Sequence, residues 1–173
     1  MAKNYERPKD DYYSTPQWCI TELFKIINFE KLNKEFHWKF AEPCKGDASA
    51  ILKNLPENSE YADLNSGIDY LKHQWNSEPD CIITNPPFSL ALEFLEKSLN
   101  EADVCIYLLR LGFLSSKKRM NFLNKNKPTN LIILSQRPSF TGKGTDNSEY
   151  AWFIFDKWNR LNLEHSIYFI KEE

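Results

Sequence analysis

The feature that most constrains this chain is a set of continuous apolar runs. "DCIITNPP" (80–87), "DVCIYLLRL" (103–111) and "NLIILSQ" (130–136) are apolar at successive positions, not alternate ones. Strands of this kind are buried on both faces, as in a parallel sheet covered by helices. "HWKFAEP" (37–43) and "SEYADL" (59–64) read as shorter strands. Helical patterns lie between them. "TPQWCITELFKIINFE" (15–30) offers Thr15 as a cap and Pro16 at the first helical position. "SLALEFLEKSLN" (89–100) and "SSKKRMNFLNKN" (115–126) each begin with serine. Strand and helix alternate, so the expected class is α/β, with a Rossmann-like, mainly parallel sheet and helices on both faces. "EYAWFIFD" (149–156) and "EHSIYFIK" (164–171) break the rhythm, and "KWNRLNL" between them suggests a closing antiparallel hairpin.

The 173 residues fit one domain, spanning 1–173. No apolar run is long enough for a membrane helix. The first residues, "MAKNYERPKDDYYSTP", are charged and lack an apolar signal core, which reads as a cytoplasmic protein. Cys19, Cys44, Cys81 and Cys105 are scattered without C-x-x-C spacing and read as reduced thiols. Three scattered histidines give no reason to expect a metal site.

Charge is distributed unevenly. Between Val104 and Thr145 there is no Asp or Glu, while Arg110, Lys117, Lys118, Arg119, Lys125, Lys127, Arg137 and Lys143 fall there. With a net charge of −2, these eight leave the remainder at −10. A basic surface of this kind suits a polyanion, and Lys117, Lys118, Arg119, Arg137 and Lys143 are the candidate nucleic-acid contacts.

Three stretches carry chemistry. In "AEPCKGDASAI" (41–51) a strand ends in Glu42 and Pro43, and a turn at Gly46 is expected to open a helix. An acid at a strand end repels phosphate and attracts a cationic, amine-bearing ligand such as S-adenosylmethionine. In "YADLNSGIDYL" (61–71) Asp63 follows the second strand, where a carboxylate can accept from ribose hydroxyls. Asp69, six residues on, is placed to accept from an adenine amino group.

The third stretch is Asn85-Pro86-Pro87-Phe88. Two prolines stiffen the exit from a buried strand and donate no N–H, which leaves carbonyls to accept. Asn85 adds an amide oxygen. Two rigid acceptors match the two hydrogens of an exocyclic NH2, and Phe88 supplies a face for a ring to stack on. An aromatic amine is a poor nucleophile because its lone pair is delocalised. Acceptors on its hydrogens favour a pyramidal nitrogen and stabilise the positive charge that grows as it attacks a methyl sulfonium.

The order Tyr-x-Thr-Pro, Glu-Pro-x-x-Gly, Ala-Asp-Leu-x-x-Gly-x-Asp, Asn-Pro-Pro-Phe resembles the S-adenosylmethionine-dependent DNA N6-adenine methyltransferases, especially the short single-domain type common in phages. "RPSFTGKGTDNSEYAWFIF" (137–155) is also similar to that group. The resemblance implies that Tyr13, Thr15 and Pro16 lie against the methionine part of the cofactor. It implies that Glu42, Pro43, Cys44 and Gly46 form its main loop, and that Asp63 and Asp69 hold its ribose and adenine. Asn85, Pro86, Pro87 and Phe88 would grip a target base drawn out of its stack. In two respects the chain departs from the pattern. Ala48 stands where the family has its second glycine, and no separate target-recognition domain fits, so loops, a protein partner or a second copy would read the target. RNA as substrate, a protein glutamine amide, and a non-catalytic nucleic-acid-binding domain remain the alternatives.

Overall fold

Seven strands form one sheet in the computed structural model, which describes residues 14–142 and 144–173. They are β1 (Phe40–Glu42), β2 (Glu60–Tyr61), β3 (Cys81–Thr84), β4 (Val104–Arg110), β5 (Asn130–Leu134), β6 (Tyr150–Asp156) and β7 (Ile167–Ile170). Their spatial order is β2-β1-β3-β4-β6-β5-β7. β2, β1, β3 and β4 are mutually parallel, and β5 is parallel to β7. β6 runs antiparallel to both of its neighbours, β4 and β5.

The continuous apolar runs are explained by two cores, one on each face of the sheet. Cys81, Ile83, Ile106 and Trp152 face one, under α1 (Gln17–Ile26) and α2 (Phe29–Phe36). Ile82, Cys105, Tyr107 and Phe153 face the other, under α3 (Ala91–Glu101) and α4 (Met120–Lys125). Successive side chains of a strand point to opposite faces, so a doubly covered strand is apolar throughout. On the first face Trp152 donates its indole N–H to the Cys19 carbonyl at 3.1 Å and fixes α1 to the middle of the sheet.

Several local expectations are corrected. The first helical pattern is two helices. Ile27 is extended, and Asn28 caps α2 by accepting from the Lys31 N–H at 2.9 Å. Pro16 is the N-cap of α1, where Thr15 was expected. α3 and α4 begin after short turns, with Leu90 and Arg119 as N-caps in place of the serines. No α-helix follows the Glu42–Pro43 turn. Gly46 and Ser49 both take positive φ, 60° and 48°, and the chain continues as tight turns into one 3-10 turn at Leu52–Asn54. Left-handed residues at those two positions interrupt any helical hydrogen-bond run.

The antiparallel pair expected towards the C-terminal end is present, but its members are β5 and β6, while β6 and β7 are not neighbours. Asp156 explains this. Its carboxylate accepts from the backbone N–H groups of Trp158, Arg160 and Leu161, which curls the chain away from a hairpin. Arg160 then pairs with Asp80 at 2.7 Å and Asp103 at 3.2 Å, with its guanidinium 4.3 Å from the Trp38 ring. Among the described residues no helix is long and apolar enough to cross a membrane.

Candidate active site at the carboxyl ends of the strands

Parallel β1, β2 and β3 deliver their following loops to one side of the sheet, which is where such sheets bind ligands. A single cleft there is lined by Thr15, Glu42, Cys44, Asp63, Asn85, Pro86 and Pro87. These come from four separate stretches of sequence, so the fold gathers most of the expected site. The described walls enclose about 220 Å³. That is below the roughly 300–1,000 Å³ of drug-sized pockets, so a nucleoside-sized ligand would extend beyond them.

Glu42 is the most constrained group in the cleft. It is 1% exposed, and its Oε2 has no hydrogen-bond partner among the described residues. Burial pushes its carboxyl well above the usual range. The Leu52 N–H and Lys45 oppose that shift, and Asp63 adds to it. A buried carboxylate oxygen without a donor costs about 1–3 kcal/mol. A cationic ligand group at this point would relieve that cost. The Cys44 thiol is pushed up to about 12 by burial and by Glu42 and Asp63, so it is inert as a nucleophile at neutral pH.

Asp63 is 7% exposed and already structural. Its Oδ1 accepts from the Asn65 N–H at 3.3 Å and its Oδ2 from the Ser66 hydroxyl at 2.9 Å. A carboxylate has about four lone-pair sites, so capacity for further donors is left. Pro43 and Gly46 are buried beside the cleft and Pro16 begins α1; none of the three lines it. Asp69 is not among the lining residues either. It accepts from the Leu71 N–H and pairs with Lys72 at 2.9 Å. Tyr13 lies outside the described residues.

Asn85, Pro86 and Pro87 leave β3 directly into the cleft, and Asn85 is 9% exposed. The Pro87 carbonyl accepts from the Leu90 N–H at 2.9 Å, closing the turn into α3, so Pro86 is the proline whose carbonyl can serve as an outward acceptor. Phe88 is half-buried just outside the cleft lining. It sits in an aromatic group with Phe140 at 6.2 Å and Tyr150 at 5.6 Å between ring centroids.

The basic stretch divides. Lys117 and Lys118 are exposed. Arg119 is committed to the fold: Nε donates to the Phe113 carbonyl at 2.9 Å, and the guanidinium lies 4.4 Å from the Phe113 ring. Arg137 pairs with Glu149 at 2.6 Å. Lys143 lies outside the described residues.

Sequence reasoning missed Lys45, Asp47 and Asn65 as cleft residues. Asn65 donates to Asp47 at 3.2 Å and joins two of the loops. The signal available was their position in polar loops after strands, which alone is too common to single them out. A second cavity of about 460 Å³ lies at the amino ends of β3 and β4, lined by Asp80, Glu101, Asp103 and Arg160. Their ion pairs hold the chain between β6 and β7, so this cavity is a structural seam.

No family model matches the chain, and no curated protein matches it by sequence. Solved structures do match by fold. One is a Listeria monocytogenes protein assigned to the class I S-adenosylmethionine-dependent methyltransferases. It has a TM-score of 0.60 at 11% identity, over 95% of this chain and 67% of that one. Another is a Vibrio vulnificus protein assigned as a modification subunit of a type I restriction enzyme, at 0.57 and 16%, over 84% and 45%. A third is a dimethyladenosine transferase from Plasmodium falciparum, at 0.56 and 11%, over 84% and 63%. The chain thus spans two thirds of the first and less than that of the other two. At these identities the likeness concerns architecture: the chain has the mixed, mostly parallel α/β fold of the class I S-adenosylmethionine-dependent methyltransferases.

Proposed function

We propose that this protein transfers a methyl group from S-adenosylmethionine to the exocyclic N6 of adenine in DNA. The observation that carries this reading is the convergence of Asn85, Pro86 and Pro87 with Glu42 and Asp63 on one cleft. An amine clamp and an acidic donor site on the same cavity are what methyl transfer to an aromatic amine requires.

The residues present fit the cofactor. Glu42, with its unpartnered buried oxygen, would take the ammonium group, and Asp63 the ribose hydroxyls, with Thr15 and Cys44 against the remainder. Asp69 lies outside the lining of this cleft, so any contact it makes would be with a part of the ligand that extends beyond it. When bound, the cofactor supplies a methyl group on a positively charged sulfur. The chain's own contribution is to the amine. Asn85 Oδ1 and the Pro86 carbonyl accept its two hydrogens, localise the lone pair and stabilise the charge developing on nitrogen. Phe88 stacks on the base once it has left the duplex, which is worth roughly 1–3 kcal/mol. The proton departs to solvent after attack, so no histidine base is needed.

Labelled cofactor offered with DNA, RNA and protein pools, followed by nucleoside mass analysis, tests the reading. N6-methyladenine from DNA supports it. Label appearing in RNA alone would move the substrate, and label in protein would remove the nucleobase altogether.

Lys117 and Lys118 are exposed cations just before α4. Changing both to alanine is expected to flatten the slope of log K against log salt for DNA by about 2, near 0.9 per lost phosphate contact. An unchanged slope would remove them from the interface. Arg119 is excluded from this test, because its loss would disturb the turn at Gly112 and Phe113.

A further inference from the structure

Arg110 closes β4, a strand otherwise without charge, and it does so at the carboxyl end of the sheet beside the Pro-Pro turn. The β4–β6 register places it opposite Tyr150. Its Nε donates to the Tyr150 hydroxyl at 2.9 Å. Its guanidinium carbon lies 4.7 Å from the centroid of the Phe88 ring, and Nη2 stands 3.7 Å from Asp146 Oδ2 in the connection between β5 and β6. Phe140, from the same connection, packs its ring 5.0 Å from Tyr150 and 6.2 Å from Phe88. One planar cation therefore touches the ring of the Asn-Pro-Pro-Phe turn, the first residue of β6 and an acid of the β5–β6 loop.

We propose that Arg110 is a positioning residue: it fixes the plane of Phe88 for the incoming base and ties that ring to the β5–β6 loop through Asp146. The proposal rests on the reading of Phe88 as the stacking face. The chemistry favours a guanidinium here. It lies flat on an aromatic face while its N–H groups, in a rigid fork, reach a hydroxyl and a carboxylate in fixed directions. A lysine ammonium in the same place keeps the charge and loses the fixed directions. A misplacement of about 1 Å at a reacting centre costs up to roughly 100-fold in rate, so holding a ring in plane is a sufficient role for a half-buried cation.

The test is a set of variants assayed on adenine-containing DNA with saturating cofactor. Arg110→Gln is expected to lower kcat about tenfold, with KM for DNA and Kd for cofactor within about twofold. Arg110→Lys is expected to recover only part of that loss. In a Phe88→Leu background Arg110→Gln should change kcat by less than about twofold, since it acts through the ring already removed. Asp146→Asn loosens the same guanidinium from outside the aromatic group. It is expected to lower kcat about threefold, and to do nothing further in an Arg110→Gln chain. It also keeps the proposal testable if Arg110→Gln fails to fold. Thermal unfolding of each variant checks for general damage. A rise in KM with additive, salt-dependent effects would make Arg110 a DNA-backbone contact and overturn the proposal, as would unchanged kcat. An active wild type with additive variants defeats this inference alone; a wild type that methylates no nucleic acid defeats it together with the reading it rests on.

Discussion

Asn85→Ala is expected to cut methyl transfer to DNA by about 10²–10³-fold, by analogy with the loss of one preorganised donor from an oxyanion hole. Affinity for S-adenosylmethionine should stay within about twofold, because Glu42 at the end of β1 and Asp63 after β2 carry that contact in the proposed site. The size of the effect follows from burial. Asn85 is 9% exposed at the end of a fully buried strand, so its amide is oriented by the sheet, and no solvent reorganisation is needed when charge develops on the amine. Asn85→Asp keeps an acceptor and should lose far less. Transfer by Asn85→Ala at the wild-type rate would show that the amine is not held at this position, and the clamp would be wrong.

Glu42→Gln is expected to weaken cofactor binding by about 10–100-fold, the value of one charge-assisted hydrogen bond. The same change should stabilise the unliganded protein, but only on the alkaline side. Burial raises the Glu42 carboxyl above its unfolded value. The folded chain then keeps a proton that the unfolded chain has released, so its stability is full at acid pH and falls as pH rises towards the raised value. Glutamine cannot ionise and removes that slope. The variant should match wild type near pH 4 and exceed it at pH 7–8 by roughly 1–3 kcal/mol, measured by denaturant unfolding at each pH. Parallel pH profiles for the two proteins would show that Glu42 is not the group whose ionisation opposes folding. In wild type, cofactor binding should also tighten as pH rises through the same window, since binding selects the ionised carboxylate.

The sheet was readable in the sequence because burial on both faces leaves a continuous apolar signature, and "DCIIT" and "DVCIYLLR" carry it without ambiguity. The order of the last three strands was not. Adjacent strand-like runs usually pair, and what prevents it here is Asp156 gathering three N–H groups, a local contact with no sequence pattern beyond one acid. The missing helix after Glu42 is similar. A glycine after a strand suggests a helix start, but Ser49 in a left-handed conformation is invisible before the backbone is traced. Glu42, Asp63 and Asn85, singled out in the sequence, do line one cleft, because the ends of β1, β2 and β3 open on the same side of the sheet. Asp69 is placed less directly by the sequence, since six residues of loop leave a carboxylate free to point in any direction, and here it pairs with Lys72. Arg110 was counted only as part of a charge run. Its actual neighbours, Tyr150 and Asp146, are 40 and 36 positions away in the chain and meet it only through the β4–β6 register.

The indole of Trp152 has a bearing on how the molecule is made. It belongs to the strand that inserts between β4 and β5, and it holds α1 from 133 positions away. During synthesis β1 to β4 can associate as they emerge, yet the gap beside β4 stays unfilled until residues 150–156 have left the ribosome. Thr15, immediately before α1, therefore takes its place in the cleft only after the strand that carries Trp152 is available. A nascent chain would be unable to capture cofactor until β6 has emerged, and the long loop closure that brings Trp152 to α1 should dominate the refolding rate.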